Sequence, residues 1–217
     1  MQVFKEESDE NAVELRFPDA WGVLKYDSPQ TTFYPKDIKA TGADLSAVDF
    51  VVNPRETPTR LLLIEVKNFR NHEVENRKRL RGQETVAGTN SKPKIKPPLE
   101  IEIVRNVLHT LAALYVGVRM GHEELANVAS AVFPAPAKVQ VVLLLETDPL
   151  PAVSGSGNHS GINKQKYDAQ QKMLIGLHTR LFQKLKPLKI QARLYACNEV
   201  PQRDGWKATA LPSKRPI

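Results

Sequence analysis

Three charged residues stand where an apolar strand has no need of them. Asp49 interrupts the run Ala47-Val48-Asp49-Phe50-Val51-Val52, and Glu65-Val66-Lys67 closes the run Leu61-Leu62-Leu63-Ile64. A carboxylate or ammonium taken out of water costs desolvation energy unless a partner or ligand compensates it. Strand alternation sets Glu65 and Lys67 on one face and Val66 on the other, and an antiparallel neighbour brings Asp49 alongside them. Two carboxylates so placed are hard oxygen donors for one divalent cation, with positions left for water and phosphate. The chemistry these residue types suggest is metal-assisted hydrolysis of a phosphodiester. A Glu-x-Lys triplet arises readily by chance in a chain with this many Glu and Lys, so the argument rests on the strand context.

The elements that must position these residues follow from periodicity. The runs 47–52 and 60–66 are joined by Asn53-Pro54-Arg55-Glu56-Thr57-Pro58, whose prolines and polar residues predict a hairpin. From Leu99 to Met120, apolar residues including Ile103, Val107, Leu111 and Leu114 recur at helical spacing, and Gly121 is a stop signal. Val139–Leu145 reads as a buried strand, 163–185 as a helix and Leu188–Cys197 as a final strand. A short helix is expected within residues 1–17, and residues 28–45 read as an irregular connection. The order of strands, helix, strand, helix, strand predicts a single α/β domain over 1–217, a mixed sheet flanked by helices. Residues 68–98 are expected to form a basic flexible loop, and the chain from 201 a basic tail.

Composition narrows the class. The chain of 217 residues is 41% hydrophobic and 25% charged, as ordinary globular proteins are. A formal charge of +7 and a pI near 9.5 favour a polyanionic partner, nucleic acid before anionic membrane. Cys197 is the single cysteine, so no internal disulfide forms; it reads as a buried inert thiol in a reducing compartment. The N-terminal residues Met1–Glu7 lack a signal-peptide apolar region, and no run approaches the ~18 apolar residues of a membrane span. A cytoplasmic location is expected.

The Asp49, Glu65-Val66-Lys67 hairpin, followed by helix, strand and helix, resembles the PD-(D/E)xK nuclease superfamily, which includes restriction endonucleases and Holliday-junction resolvases. The resemblance covers roughly residues 45–145 and is strongest over 47–70. It implies a restriction-endonuclease-like fold with a mixed central β-sheet flanked by helices. It also implies that Asp49 and Glu65 bind Mg²⁺ (or Mn²⁺), with the Val66 carbonyl as a further ligand. Lys67 would orient or activate the attacking water and stabilise the phosphorane. Two departures stand out. Val48 replaces the nominal proline, and the N-terminal acid such enzymes carry has no clear counterpart; Glu14 is the first choice, with Glu10 and Asp19 behind it. The implied activity is divalent-metal-dependent endonucleolytic hydrolysis of DNA, with DNA ahead of RNA as the partner and a homodimer if both strands are cut. Two alternatives stay open: an inactive module on the same fold that binds nucleic acid or a protein, and an unrelated basic α/β protein. In the latter Asp49 caps a turn while Glu65 and Lys67 form a surface ion pair.

The segment after the hairpin carries Arg70, Arg77, Lys78, Arg79 and Arg81, candidates for phosphate-backbone contacts, although charge runs of this kind are commonly solvated surface. Gln83 is a further candidate near the site. His72, His109, His122, His159 and His178 show no metal-ligand spacing, and His109, inside an apolar helix, is expected to pack. The Gly155, Gly157 and Gly161 stretch lacks the Gly-Lys-Ser/Thr ending of a phosphate-binding loop. Trp21, Tyr26, Phe33 and Tyr34 have the rings to stack bases, but core packing is the expectation.

Overall fold

The structure, a computed structural model, describes residues 1–8, 11–42, 45–55, 59–87, 94–132, 138–149 and 158–212. The chain opens with two strands, β1 (Gln2–Ser8) and β2 (Asn11–Phe17), followed by β3 (Gly22–Lys25), β4 (Phe50–Asn53) and β5 (Arg60–Asn68). Helix α1 (Glu73–Leu80) and the short strands β6 (Thr85–Ala87) and β7 (Lys94–Lys96) lead into the long helix α2 (Leu99–Arg119). After the one-turn helix α3 (Ala126–Ala129) come β8 (Lys138–Glu146), α4 (Asn158–Leu185), β9 (Gln191–Tyr195) and β10 (Lys207–Ala210).

Among the described residues the main sheet has five strands in the order β3-β4-β5-β8-β9. β4 runs antiparallel to both β3 and β5, whereas β8 lies parallel to β5 and β9 parallel to β8. Parallel neighbours need long crossovers, and α2 and α4 lie in the two that this sheet requires. The fold is therefore mixed α/β, as the element order predicts.

The strand β5 shows how both faces are used. Leu61 and Leu63 pack into the cluster that contains Ile103, Val107 and Leu114 of α2 and Leu177 and Leu181 of α4. Leu62 and Ile64 face the opposite way, into a cluster with Val13, Leu15, Phe17 and Trp206. A strand covered on both sides reads as an unbroken apolar run, which is why 61–64 shows no alternation. Helix α2 is long and apolar enough to cross a membrane by length and composition alone; here its residues Leu99, Ile103, Val107 and Leu114 are buried in the core.

The second face is covered by a small sheet, β1-β2-β10, which corrects two expectations. Residues 1–17 form an antiparallel hairpin and no helix. Val13, Leu15 and Phe17 are fully buried while Glu14 and Arg16 point outward, a period of two. The tail from 201 is not all solvated, because β10 pairs with β2 and Trp206 stacks on Phe17 with ring centroids 5.6 Å apart. A third correction concerns 68–98: its described residues include α1 and the paired strands β6 and β7. Trp21, Tyr26, Phe33 and Tyr34 are all buried, so their rings pack and present no base-stacking surface.

A candidate acidic site at the end of the central strands

The ladder between β4 and β5 ends where Phe50 pairs with Ile64, so the next position outward sets Asp49 opposite Glu65. Asp49 lies just outside β4, not within it. Its Oδ2 accepts a hydrogen bond from the Val66 amide at 2.6 Å, taking the next free donor of β5 as the ladder stops. The Val48 amide turns instead to Thr110 Oγ1 of α2, at 3.1 Å. These two side-chain contacts end the hairpin at a fixed point and leave both carboxyl groups facing the C-terminal end of β5.

Glu65 follows Leu61 and Leu63 onto the helix face and is only 1% exposed. Helix α2 meets it with Asn106, whose Nδ2 donates to Glu65 Oε1 at 3.0 Å. Lys67, two residues on, lies on the same face with Nζ 2.7 Å from Glu65 Oε1 and 3.0 Å from Glu102 Oε1. Glu102 and Asn106 are one helical turn apart, so α2 presents both to the strand. Behind Glu102 stands Arg79 of α1, paired with Glu102 Oε2 and donating to Asn76 Oδ1 at 3.1 Å and the Pro97 carbonyl at 3.0 Å.

Burial dominates the electrostatics. It raises the Asp49 carboxyl well above the usual range, helped by the adjacent Glu65 and opposed by Lys67. Burial likewise raises Glu65, with Lys67 pulling back. For Lys67, burial acts downward but the surrounding charges of Glu65, Glu102 and Asp49 outweigh it, so its pKa is raised and the amine stays an ammonium. Burial of Glu102 is outweighed by Lys67 and Arg79, which hold it below the ordinary carboxylate range. Asp49, Glu65 and Glu102 thus face Lys67 and Arg79, with Arg105 also acting on Glu102 and a fourth acid, Glu6, acting on Asp49. With every group ionised the cluster carries an excess negative charge, which a proton or a bound cation would neutralise.

The residues present fit a small divalent ion in their donor chemistry. Glu65 Oε2 is buried without a hydrogen-bond partner among the described residues. The Val66 carbonyl points toward the same strand edge as its amide. Among the described residues no group of three or more His, Cys, Asp or Glu forms a metal cage. Mg²⁺ is commonly held by only one or two carboxylates, with water and substrate phosphate completing the shell.

Lys67 opens onto a cleft of about 680 Å³ whose walls include His72, Asn76, Arg79, Glu102 and Arg105. The Lys67 side chain is 23% exposed there, against 2% for Glu65, so the ammonium stands between the buried acids and solvent.

The remaining sequence candidates divide. Arg77, Lys78 and Arg81 are exposed on or next to α1, as a phosphate-contacting surface requires, and Gln83 is exposed as well. Arg79 is 5% exposed and its guanidinium is committed to Glu102, Asn76 and Pro97, so it supports Lys67 rather than an outer surface. Arg70 is also corrected. It donates to the carbonyls of Leu211 at 2.7 Å and Ala12 at 3.2 Å, clamping the small sheet to the end of β5. Glu14 is paired with Arg16 on β2, and Asp19 with the Met1 ammonium at the surface; neither joins the cluster. Glu10 lies outside the described residues. The N-terminal acid whose charge acts on Asp49 is Glu6 of β1. His109 accepts from the Ser46 amide at 3.1 Å, a packed role as expected.

Sequence reasoning missed Glu6, Glu102 and Asn106. A signal existed for Asn106, a polar residue between Ile103 and Val107 on the inward stripe of an apolar helix. Comparison of the chain with protein-family models, with curated proteins and with solved structures finds no match in any of the three.

Proposed function

We propose that this protein is a divalent-metal-dependent endonuclease that hydrolyses DNA phosphodiester bonds on a restriction-endonuclease-like fold of the PD-(D/E)xK type. The observation that carries the reading is the meeting of Asp49, Glu65 and Lys67 at one end of β4 and β5, beside a cleft edged by Arg105. The order of hairpin, helix, parallel strand and helix supports it as well.

Asp49 and Glu65 would hold Mg²⁺ (or Mn²⁺) together with the Val66 carbonyl. The bound ion would supply Lewis acidity toward a phosphoryl oxygen and acidify a water. Lys67, kept as an ammonium by its carboxylate neighbours, serves as a fixed cation and not as a general base. It orients the water and stabilises charge that grows on the phosphoryl oxygens in the transition state. Glu102 and Arg79 hold that ammonium in place, and Arg105 at the cleft wall attracts the phosphate backbone. The proposed setting is the cytoplasm, where the buried Cys197 thiol stays reduced. Cleavage of both strands would call for a homodimer.

One observation favours a second reading, a binding module without activity. Glu65 Oε1 is already engaged by Lys67 and Asn106, so the site is internally neutralised in part. Calorimetric titration with Mg²⁺ and Mn²⁺ separates the two. Saturable binding that Asp49→Asn and Glu65→Gln each abolish supports the metal site; binding that neither variant changes removes it.

A further inference from the structure

The N-terminal ends of three parallel strands carry a second charged concavity. β5, β8 and β9 start side by side, in a register that places Arg60 next to Lys138 and Val142 next to Arg193. Arg60, Lys138, Gln140 and Arg193 fall at the alternate positions that share a face with Leu62, Val142 and Leu144. There they line a cavity of about 480 Å³, to which Tyr195 and Arg203 also contribute. Arg203 comes from the turn Gln202–Asp204, which walls the cavity.

Four basic side chains therefore meet in one hollow. None of the four pairs with a carboxylate among the described residues. The lining acid, Asp204, accepts the Tyr195 hydroxyl at 3.1 Å. Arg60 is oriented by Gln140, itself 7% exposed, through a 2.6 Å bond to its Oε1. Like charges on adjacent strands repel, so the arrangement is stabilised by an anion that joins them. Guanidinium forks match phosphate geometry with paired donors, and the cavity volume lies in the range of small-molecule sites.

We propose that this cavity binds a small phosphorylated ligand through a polyphosphate group of the kind a nucleotide carries, held by Arg60, Lys138, Arg193 and Arg203. A small ligand is favoured over a nucleic-acid backbone by location. The cavity opens on the opposite sheet face from Glu65 and Lys67, and lies seven strand residues, roughly 20 Å, from Lys67. A strand seated in the Lys67 cleft does not pass through it. The choice of a small ligand over a strand rests on the proposed seating of nucleic acid in the Lys67 cleft, whereas the basic lining of the cavity stands without it.

Isothermal titration calorimetry with inorganic pyrophosphate, ATP and a short single-stranded oligonucleotide tests it on the full chain. Pyrophosphate and ATP are expected to saturate one site. The exposed pair Arg193→Glu/Arg203→Glu, with circular dichroism unchanged, weakens both by about tenfold or more, while Lys172→Glu, at an exposed position of α4 outside the cavity, leaves them as in the wild type. No saturable binding of either compound overturns the proposal. So does equal affinity in the double variant, or binding of the oligonucleotide alone, which would assign the patch to a nucleic-acid backbone.

Discussion

The Lys67 ammonium lies 2.7 Å from Glu65 Oε1 and 3.0 Å from Glu102 Oε1, bridging a strand carboxylate and a helix carboxylate. This contact ties β5 to α2 and fixes the charge state of the cluster. Each carboxylate raises the Lys67 pKa, and Lys67 in turn makes ionised Glu65 tolerable under near-complete burial.

Removing the bridge affects stability and chemistry differently. Lys67→Met leaves the buried Glu65 without a charged partner and Glu102 with Arg79 alone, and is expected to destabilise the fold by about 3 kcal/mol at neutral pH. The loss shrinks in acid as Glu65 takes up a proton. Urea unfolding at acidic and neutral pH reads both effects.

Asp49→Asn is expected to do the opposite. Burial and Glu65 raise the Asp49 carboxyl, and a neutral amide still accepts the Val66 amide through its oxygen. The variant should match or exceed wild-type stability at neutral pH by about 1 kcal/mol, while metal binding and cleavage are lost. Such a gain marks a residue kept for function at the expense of the fold.

The pH dependence of stability has a definite sign. Asp49 and Glu65 have folded-state pKa values above their unfolded ones, so their contribution is complete below the ordinary carboxylate range and lost as pH rises through the raised values. Glu102, lowered by Lys67 and Arg79, contributes stability above the ordinary range that is lost as pH falls through its folded value. The metal-free protein should therefore show a thermal midpoint that declines on going from mildly acidic to neutral pH. Asp49→Asn should flatten that decline, and Mg²⁺ should raise the midpoint more at neutral than at acid pH, because binding displaces protons. Differential scanning fluorimetry across pH, with and without Mg²⁺, checks this.

The arginines near the hairpin should separate by role. Charge reversal at Arg77, Lys78 and Arg81 is expected to weaken DNA affinity for all sequences alike and to reduce its salt dependence, with little effect on stability. Arg70→Ala should do the reverse. Loss of its bonds to Leu211 and Ala12 is expected to destabilise the fold by about 1–3 kcal/mol, with DNA affinity nearly unchanged. Fluorescence anisotropy at several salt concentrations, paired with urea unfolding, distinguishes the two groups.

Legibility from sequence tracked how local each cause is. The hairpin carrying Asp49 and Glu65, the helix over 99–119 and the buried strand β8 are strong periodic or apolar signals, and the structure holds all of them. The N-terminal hairpin was hidden because the Glu and Lys residues of β1 mask its alternation, and its stability comes from long-range packing of Phe17 against Trp206. β10 is four residues long and has meaning only through its partner β2. Within the site, Asp49, Glu65 and Lys67 stand out because charge interrupts or closes apolar runs of the sequence. Glu102 looks like an ordinary polar helix residue until α2 is docked on β5. Arg70 and Arg79 read as surface cations because a run of basic residues does not reveal which guanidinium turns inward.

Cleavage of supercoiled plasmid and of single-stranded DNA tests the central claim most directly, using wild type, Asp49→Asn, Glu65→Gln and Lys67→Met with Mg²⁺, Mn²⁺ or EDTA. The wild type should nick or linearise DNA only with the metal. Each variant should lose about a hundredfold or more in rate, Asp49→Asn while remaining folded. Metal-independent cleavage, equal rates in wild type and variants, or an inert wild type with both ions would contradict the assignment.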